Sequence, residues 1–319
     1  MKSSAGWLAA LAACWIMHFF VQDYSKSYYF LIFLYAGINI VLAVSLNLVN
    51  GVTGQFSMGH AGFMSIGGYV SCYLITQLFQ RSPALFEGPL SMPIFAGALV
   101  LGGIAAAIAG YLVGLPSLRL KGDYLAIVTL GFGEIIRVIL LNVDAVGGAR
   151  GLGGIPNLTS FGVVYTCVIV TVFCVWRIIR SAQGRALLAV REDEIAASAM
   201  GVNTTRSKVS AFVIGAFFAG IAGGLFGSWL TVLTPQTFDF NKSFEIIIMV
   251  VLGGMGSVSG SIVAAIFLTI IREALRPLQD ITKLDFRMII YSLMLIVLML
   301  TKPRGLFGSR ELVKEKELA

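Results

Sequence analysis

Polar groups able to do chemistry concentrate in two glycine-rich stretches of this sequence. The first runs from Asn50 to Phe63 and sets Gly51, Gly54, Gly59 and Gly62 among Thr53, Gln55, Ser57 and His60. The second places Gly253, Gly254, Gly256, Ser257 and Gly260 between apolar residues. Amides, hydroxyls and one imidazole at these spacings can hydrogen-bond a passing solute or satisfy irregular backbone. They hold none of the patterns used to break covalent bonds. The chain has no H-E-x-x-H and no G-x-S-x-G, and His18 and His60 are its two histidines. No glycine is followed by lysine, so the phosphate-cradling G-x-x-x-x-G-K-[ST] loop is absent and any ATP chemistry falls to another subunit. Cys14, Cys72, Cys167 and Cys174 lie in apolar stretches without C-x-x-C spacing and read as small hydrophobes. No metal or cofactor is expected.

Glu134 and Arg137 add a charged pair three residues apart, on one face of a helix. One reading is a structural i,i+3 ion pair. The other is an intramembrane carboxylate on a transport path, where burying charge is costly.

The elements that must position these groups follow from composition. Hydrophobic residues make up 57% of the chain and charged residues 12%, about half the charged share of soluble domains; mean hydropathy is +0.88. Such a chain is expected to fold as an all-α, polytopic transmembrane helical bundle, because only helices and closed barrels satisfy their backbone in lipid. Apolar runs fall at 7–22, 28–49, 58–79, 92–115, 124–142, 161–179, 209–233, 244–270 and 287–301. With about 20 residues per span, these give about 9–10 spans with Gly-rich broken helices. The first run lacks a cleavage pattern and reads as a retained span. The run at 244–270 is too long for one simple span, and its Gly253–Gly260 break makes it a pair of arms. Residues 1–308 are expected to form a single transmembrane domain and 309–319 a polar cytoplasmic tail.

The net charge of +7 does not indicate nucleic acid, since the basic residues flank apolar runs as the positive-inside rule expects. The connection at 180–208 and the tail from Lys302 onward carry the densest groups, five each of the 23 lysines and arginines. Both are therefore expected in the cytoplasm, together with the N-terminus and the Arg119/Lys121 loop. Within 180–208, Ala186 to Met200 is rich in helix formers and ends at Gly201, a natural stop. A single amphipathic helix is expected there, with Leu188, Ile195, Ala196 and Ala199 on one face, suited to a groove on a partner protein.

In the two breaks, alternatives stay open. Gln55, Ser57 and His60 line a route through a broken helix, or the stretch is a surface loop with Ser57 as N-cap. The Gly253–Ser257 break serves either helix packing or the same route.

Four segments occur in one order: Gly51 to Phe63 with Gly54, Gln55, Ser57 and His60; Leu118 to Tyr124 followed by Thr129 to Arg137 with Glu134; Val251 to Ser257; and Lys302 to Gly308. Together they resemble the M-type permeases of the branched-chain amino acid (Liv) ABC importers. Glu194, Ala196, Ala197 and Gly201 are similar to the E-A-A-x-x-x-G coupling loop of ABC importer permeases, with Ile195 inserted after the glutamate. The resemblance implies a bacterial inner-membrane permease with a homologous second permease, two cytoplasmic ABC ATPase subunits and a periplasmic substrate-binding protein as partners. Its implied cargo is a branched-chain or other hydrophobic amino acid, relatives of this type also serving urea and amides. A stand-alone secondary transporter is the competing class, and it would work without ATP.

Overall fold

The computed structural model describes residues 2–21, 28–86, 88, 90–118, 120, 122–275 and scattered positions between 290 and 306. Expectations placed on Arg119, Lys121, residues 302–304 and the tail lie outside these residues. Among the described residues the regular elements are helices. They are α1 (Lys2–Val21), α2 (Tyr28–Asn47), α3 (His60–Arg81), α4 (Ser91–Ser117), α5 (Asp123–Leu141) and α6 (Phe161–Ile179). α7 (Ala182–Glu192), α8 (Glu194–Ala199), α9 (Thr204–Leu230), α10 (Phe240–Gly253) and α11 (Val258–Ala274) follow. Five stretches are long and apolar enough to cross a membrane: Phe30–Val52, Ser91–Ser117, Asp123–Leu141, Phe161–Ile179 and Thr204–Leu230. The chain is a multi-pass, all-α membrane protein.

Backbones touch at the centre of the bundle. A Cβ on Gly67 of α3 would sit 2.1 Å from the Cα of Gly220 on α9, and one on Gly102 of α4 would sit 2.5 Å from the Gly67 carbonyl oxygen. Without a hydrophobic drive between helices in lipid, close approach at small residues supplies the packing energy. α2 runs beside this core, almost wholly buried, and α5 lies at the edge with most of its surface outward.

The run at 244–270 is two helices, α10 and α11, joined through Gly254, Met255, Gly256 and Ser257. Gly254 and Gly256 have φ of +105° and +95°, a region costly for residues with a Cβ. Ser257 caps α11 by accepting from the Gly260 amide.

The expected single helix from Ala186 to Met200 is instead two. Asp193 ends α7 in extended conformation, and its carboxylate accepts from the Ile195 and Ala196 amides to start α8. A short acid that can cap a helix competes with continuing one. The break parts the expected shared face: Leu188 lies half-buried on α7, while Ile195, Ala196 and Ala199 stay together as exposed residues of α8. α8 does stop at Gly201, which has φ +84°. Val202 N–H donates to Ala197 O and Gly201 N–H to Ser198 O, the Schellman pattern.

Candidate functional site

Leaving α2, the chain widens into a π-helical turn, Leu48–Val52, and then runs irregularly to His60. This segment climbs back into the bundle. Met58 N–H donates to Thr129 Oγ1, two turns into α5, and Ala61 N–H donates to Ser243 Oγ. Ser243 lies roughly 15 Å along α10 from its break at the usual helical rise. Gln55, Ser57 and His60 are all buried. α3 begins at His60 with Gly59 at the cap position, so the reading of Ser57 as N-cap is not realised.

Irregular backbone inside a membrane protein needs every polar group met, and local side chains do most of this. The Gln55 backbone N–H donates to Val49 O, and Thr53 Oγ1 donates to Leu48 O. Asn50 holds Ser57 at both ends, accepting from its N–H at 3.2 Å and donating to its carbonyl at 3.3 Å. Ser45 Oγ donates to Leu42 O and lies 2.9 Å from His60 Nε2.

The two breaks meet. Asn47 Oδ1 accepts from Gly256 N–H at 2.8 Å, and its amide donates to Ser257 O at 3.0 Å. A Cβ on Gly51 would lie 2.2 Å from the Gly256 nitrogen, and one on Gly253 would lie 2.5 Å from the Gly260 carbonyl carbon. Arg191 of α7 reaches the same junction and donates from Nη1 to Gly51 O at 2.9 Å. Gly54 (φ +71°) sits against the stem of that arginine. Beside it, Thr53–Phe56, Val190–Ile195, Gly122 and Lys208 border a cavity of about 380 Å³. Gln55 lines this cavity, and its Oε1 has no hydrogen-bond partner.

Of the residues singled out in sequence, Gly54, Gln55, Ser57, His60, Gly253, Gly254, Gly256 and Ser257 come together around this junction. Glu134 stands apart. It pairs with Arg137 Nε at 2.7 Å, half exposed, and borders a crevice too narrow for water beside Met58, Gly62 and Ser243. Glu194 is bound at 2.6 Å to Lys208 of α9. Ala196 is exposed, while Ala197 is buried by its own chain.

Sequence reasoning passed over Asn47 and a buried charged cluster, and gave Arg191 no role beyond its charge. In that cluster Glu245 accepts from Lys242 Nζ at 3.1 Å and from Arg272 Nη1 at 2.9 Å. Lys242 also donates to Tyr35 Oη, and Arg272 bonds the same phenol. Asn39 ties α2 to Thr269 of α11 at 3.0 Å. The residual signal was there: Lys242 and Glu245 are i,i+3 at the mouth of an apolar run.

These features can be set beside known proteins. Residues 28–299 match the family model described as branched-chain amino acid transport system / permease component. The chain is 35% identical over 304 residues to the high-affinity branched-chain amino acid transport system permease protein LivM of Salmonella typhimurium, covering 84% of this chain and 67% of that one. The same figures hold for LivM of Escherichia coli K12. It is 27% identical over 312 residues to E. coli LivH, a permease protein of the same transport system by its name, covering 90% and 98%. No solved structure matches.

Proposed function

The chain belongs to the family of permease components of branched-chain amino acid transport systems, and from that premise we propose that it is the membrane-spanning subunit of an ATP-driven importer for branched-chain or other hydrophobic amino acids. The observation that carries this reading is the junction itself. Two glycine breaks from separate parts of the chain are clamped by Asn47 and touched by a helix, α7, of the α7–α8 connection. That arrangement suits a gate whose state is set from outside the bundle.

In this reading α7 and α8 face the cytoplasm of a bacterial cell, as the basic residues around them favour, and dock on one of two ATPase subunits. Glu194, Ala196, Ala197 and Gly201 then shape the docking element rather than all touching the partner. Ile195 and Met200, the most exposed apolar side chains there, supply the contact. A homologous second permease completes the path, and a periplasmic binding protein delivers the solute and sets most of the selectivity. Gly54, Gln55, Ser57, His60, Glu134 and the Gly253–Ser257 break are the proposed path and gate residues.

The test is reconstitution of the full complex in proteoliposomes with leucine, isoleucine, valine, urea and acetamide as competing cargoes. ATP-dependent uptake of the branched-chain amino acids is expected. The chain purified alone should bind no nucleotide, because it carries no phosphate-cradling loop. Saturable ATP binding by the isolated chain, or uptake driven by an ion gradient without ATP, would overturn the reading.

A further inference from the structure

In sequence Arg191 is one of five basic residues between 180 and 208, of the kind that orients a membrane protein. Its position in the fold gives it a more particular role. The side chain leaves α7 and enters the space between the two breaks. A Cβ on Gly54 would meet its Cγ at 2.8 Å, and a Cβ on Gly256 would meet its Nη1 at 2.9 Å. That same Nη1 donates to Gly51 O at 2.9 Å, while Nη2 lies 3.3 Å from Glu192 on the exposed side. One side chain therefore touches three glycines on two breaks.

The Gly51 carbonyl belongs to the last helical turn before the chain turns irregular, where the helix ladder runs out of donors. Arg191 supplies one. Asn47 fastens the breaks from within, through Gly256 N–H and Ser257 O. Arg191 fastens them from the α7 side. A shift of α7 by an ångström or two would carry the guanidinium beyond bonding range, since such bonds weaken past roughly 3.2 Å. The Gly51 carbonyl would then lose its donor, and the space between Gly54 and Gly256 would open.

We propose that Arg191 is a positioning residue that transmits displacement of α7 to both glycine breaks, holding them together in the present arrangement and releasing them when α7 moves. The proposal rests on the reading that α7 and α8 dock on an ATPase. Glycine at 54 and 256 follows from it, since a methyl group at either position would collide with the arginine.

The experiment uses the complete complex in proteoliposomes and reads three quantities: recovery of the ATPase with the permease, ATP hydrolysis, and solute imported per ATP. Arg191→Met keeps the aliphatic stem over Gly54 and removes the donor. Expected are normal assembly, continued hydrolysis, and import per ATP lowered about ten- to a hundredfold, the loss fitting one hydrogen bond from a charged group. Arg191→Lys, which keeps a donor, should recover most of the coupling. Gly256→Ala, which leaves Arg191 in place and crowds it, should also uncouple. Unchanged import per ATP in Arg191→Met would overturn the proposal, as would a lysine variant as impaired as the methionine one. Failed assembly of Arg191→Met together with full coupling in Gly256→Ala would likewise reduce Arg191 to a structural role. A wild-type complex that imports without ATP, or that recovers no ATPase, would instead overturn the proposed function, so the two failures are distinct.

Discussion

Glu245 serves two cations with one carboxylate, Lys242 on one oxygen and Arg272 on the other, and links α10 to α11. Lys242 Nζ also sits 5.0 Å from the centre of the Tyr35 ring, and that ring stacks on Trp229 at 5.6 Å. Removing one partner of a buried pair costs roughly 3–5 kcal/mol, because the charge left behind is uncompensated. The two ends of this network are not equivalent. Glu245→Gln leaves both cations without their carboxylate, whereas Lys242→Met leaves Glu245 still bonded to Arg272. We expect Glu245→Gln to lower the melting temperature of the detergent-purified protein clearly more than Lys242→Met does, measured by size-exclusion recovery after heating. Equal losses would show that the carboxylate is not the hub. The sequence hides this cluster by position. Lys242 falls at the end of a connecting segment and Glu245 at the start of an apolar run, and Arg272 joins them only through the α10–α11 hairpin.

Element α5 poses a different physical problem. Tyr124, Ile127, Gly131, Ile135 and Val138 recur at helical spacing and are all exposed, an apolar stripe of the kind that seeks a partner surface or lipid. Glu134 and Arg137 lie beside it, their side chains 37% and 26% accessible. A half-exposed ion pair within a membrane span is costly against lipid, so a protein partner covering this edge is the cheaper arrangement. The companion permease is the expected partner. Cysteines at Ile127 and Ile135 should therefore form cross-links to it in native membranes. Cross-links absent at both sites, in a complex that still transports, would mean the stripe faces lipid. The same scale shows where patterns suffice and where they do not. The apolar runs mark α2, α4, α5, α6 and α9 because length and hydropathy decide them. The α7–α8 break is harder to read, since Asp193 stands among helix formers and only its bonds to the Ile195 and Ala196 amides reveal a cap. With Ala197 buried, Ile195 of the expected face and Met200 are the exposed apolar side chains that the proposed docking would use. Ile195→Arg is accordingly expected to abolish co-purification of the ATPase while the spans stay folded, and retention of the ATPase would place the contact elsewhere.

Across the whole molecule the polar groups form a column through an otherwise apolar bundle. It starts at Arg191, Gly51 and Asn47, continues through Ser45, His60 and Ser243, and ends at Lys242, Glu245 and Asn39. Helical rise sets its length: Asn39 stands roughly 12 Å along α2 from Asn47 at the junction, somewhat under half of an apolar core about 30 Å thick. The glycine breaks were legible because glycine and polar residues interrupt apolar runs. The column was not, because its links join residues some two hundred positions apart, such as Asn47 with Ser257 and Asn39 with Thr269. A gate at one end of such a column has meaning only if the two ends face different compartments. With α7 and α8 in the cytoplasm, the α5–α6 connection, which includes the exposed Asn157, must lie outside. In a background with the four native cysteines replaced, Asn157→Cys should react with a membrane-impermeant maleimide on intact cells whose outer membrane has been opened. Met200→Cys, at the tip of α8, should react only after the inner membrane is broken. The reverse pattern would put the docking helix on the wrong side of the membrane for any ATPase, and the whole mechanism would fall with it.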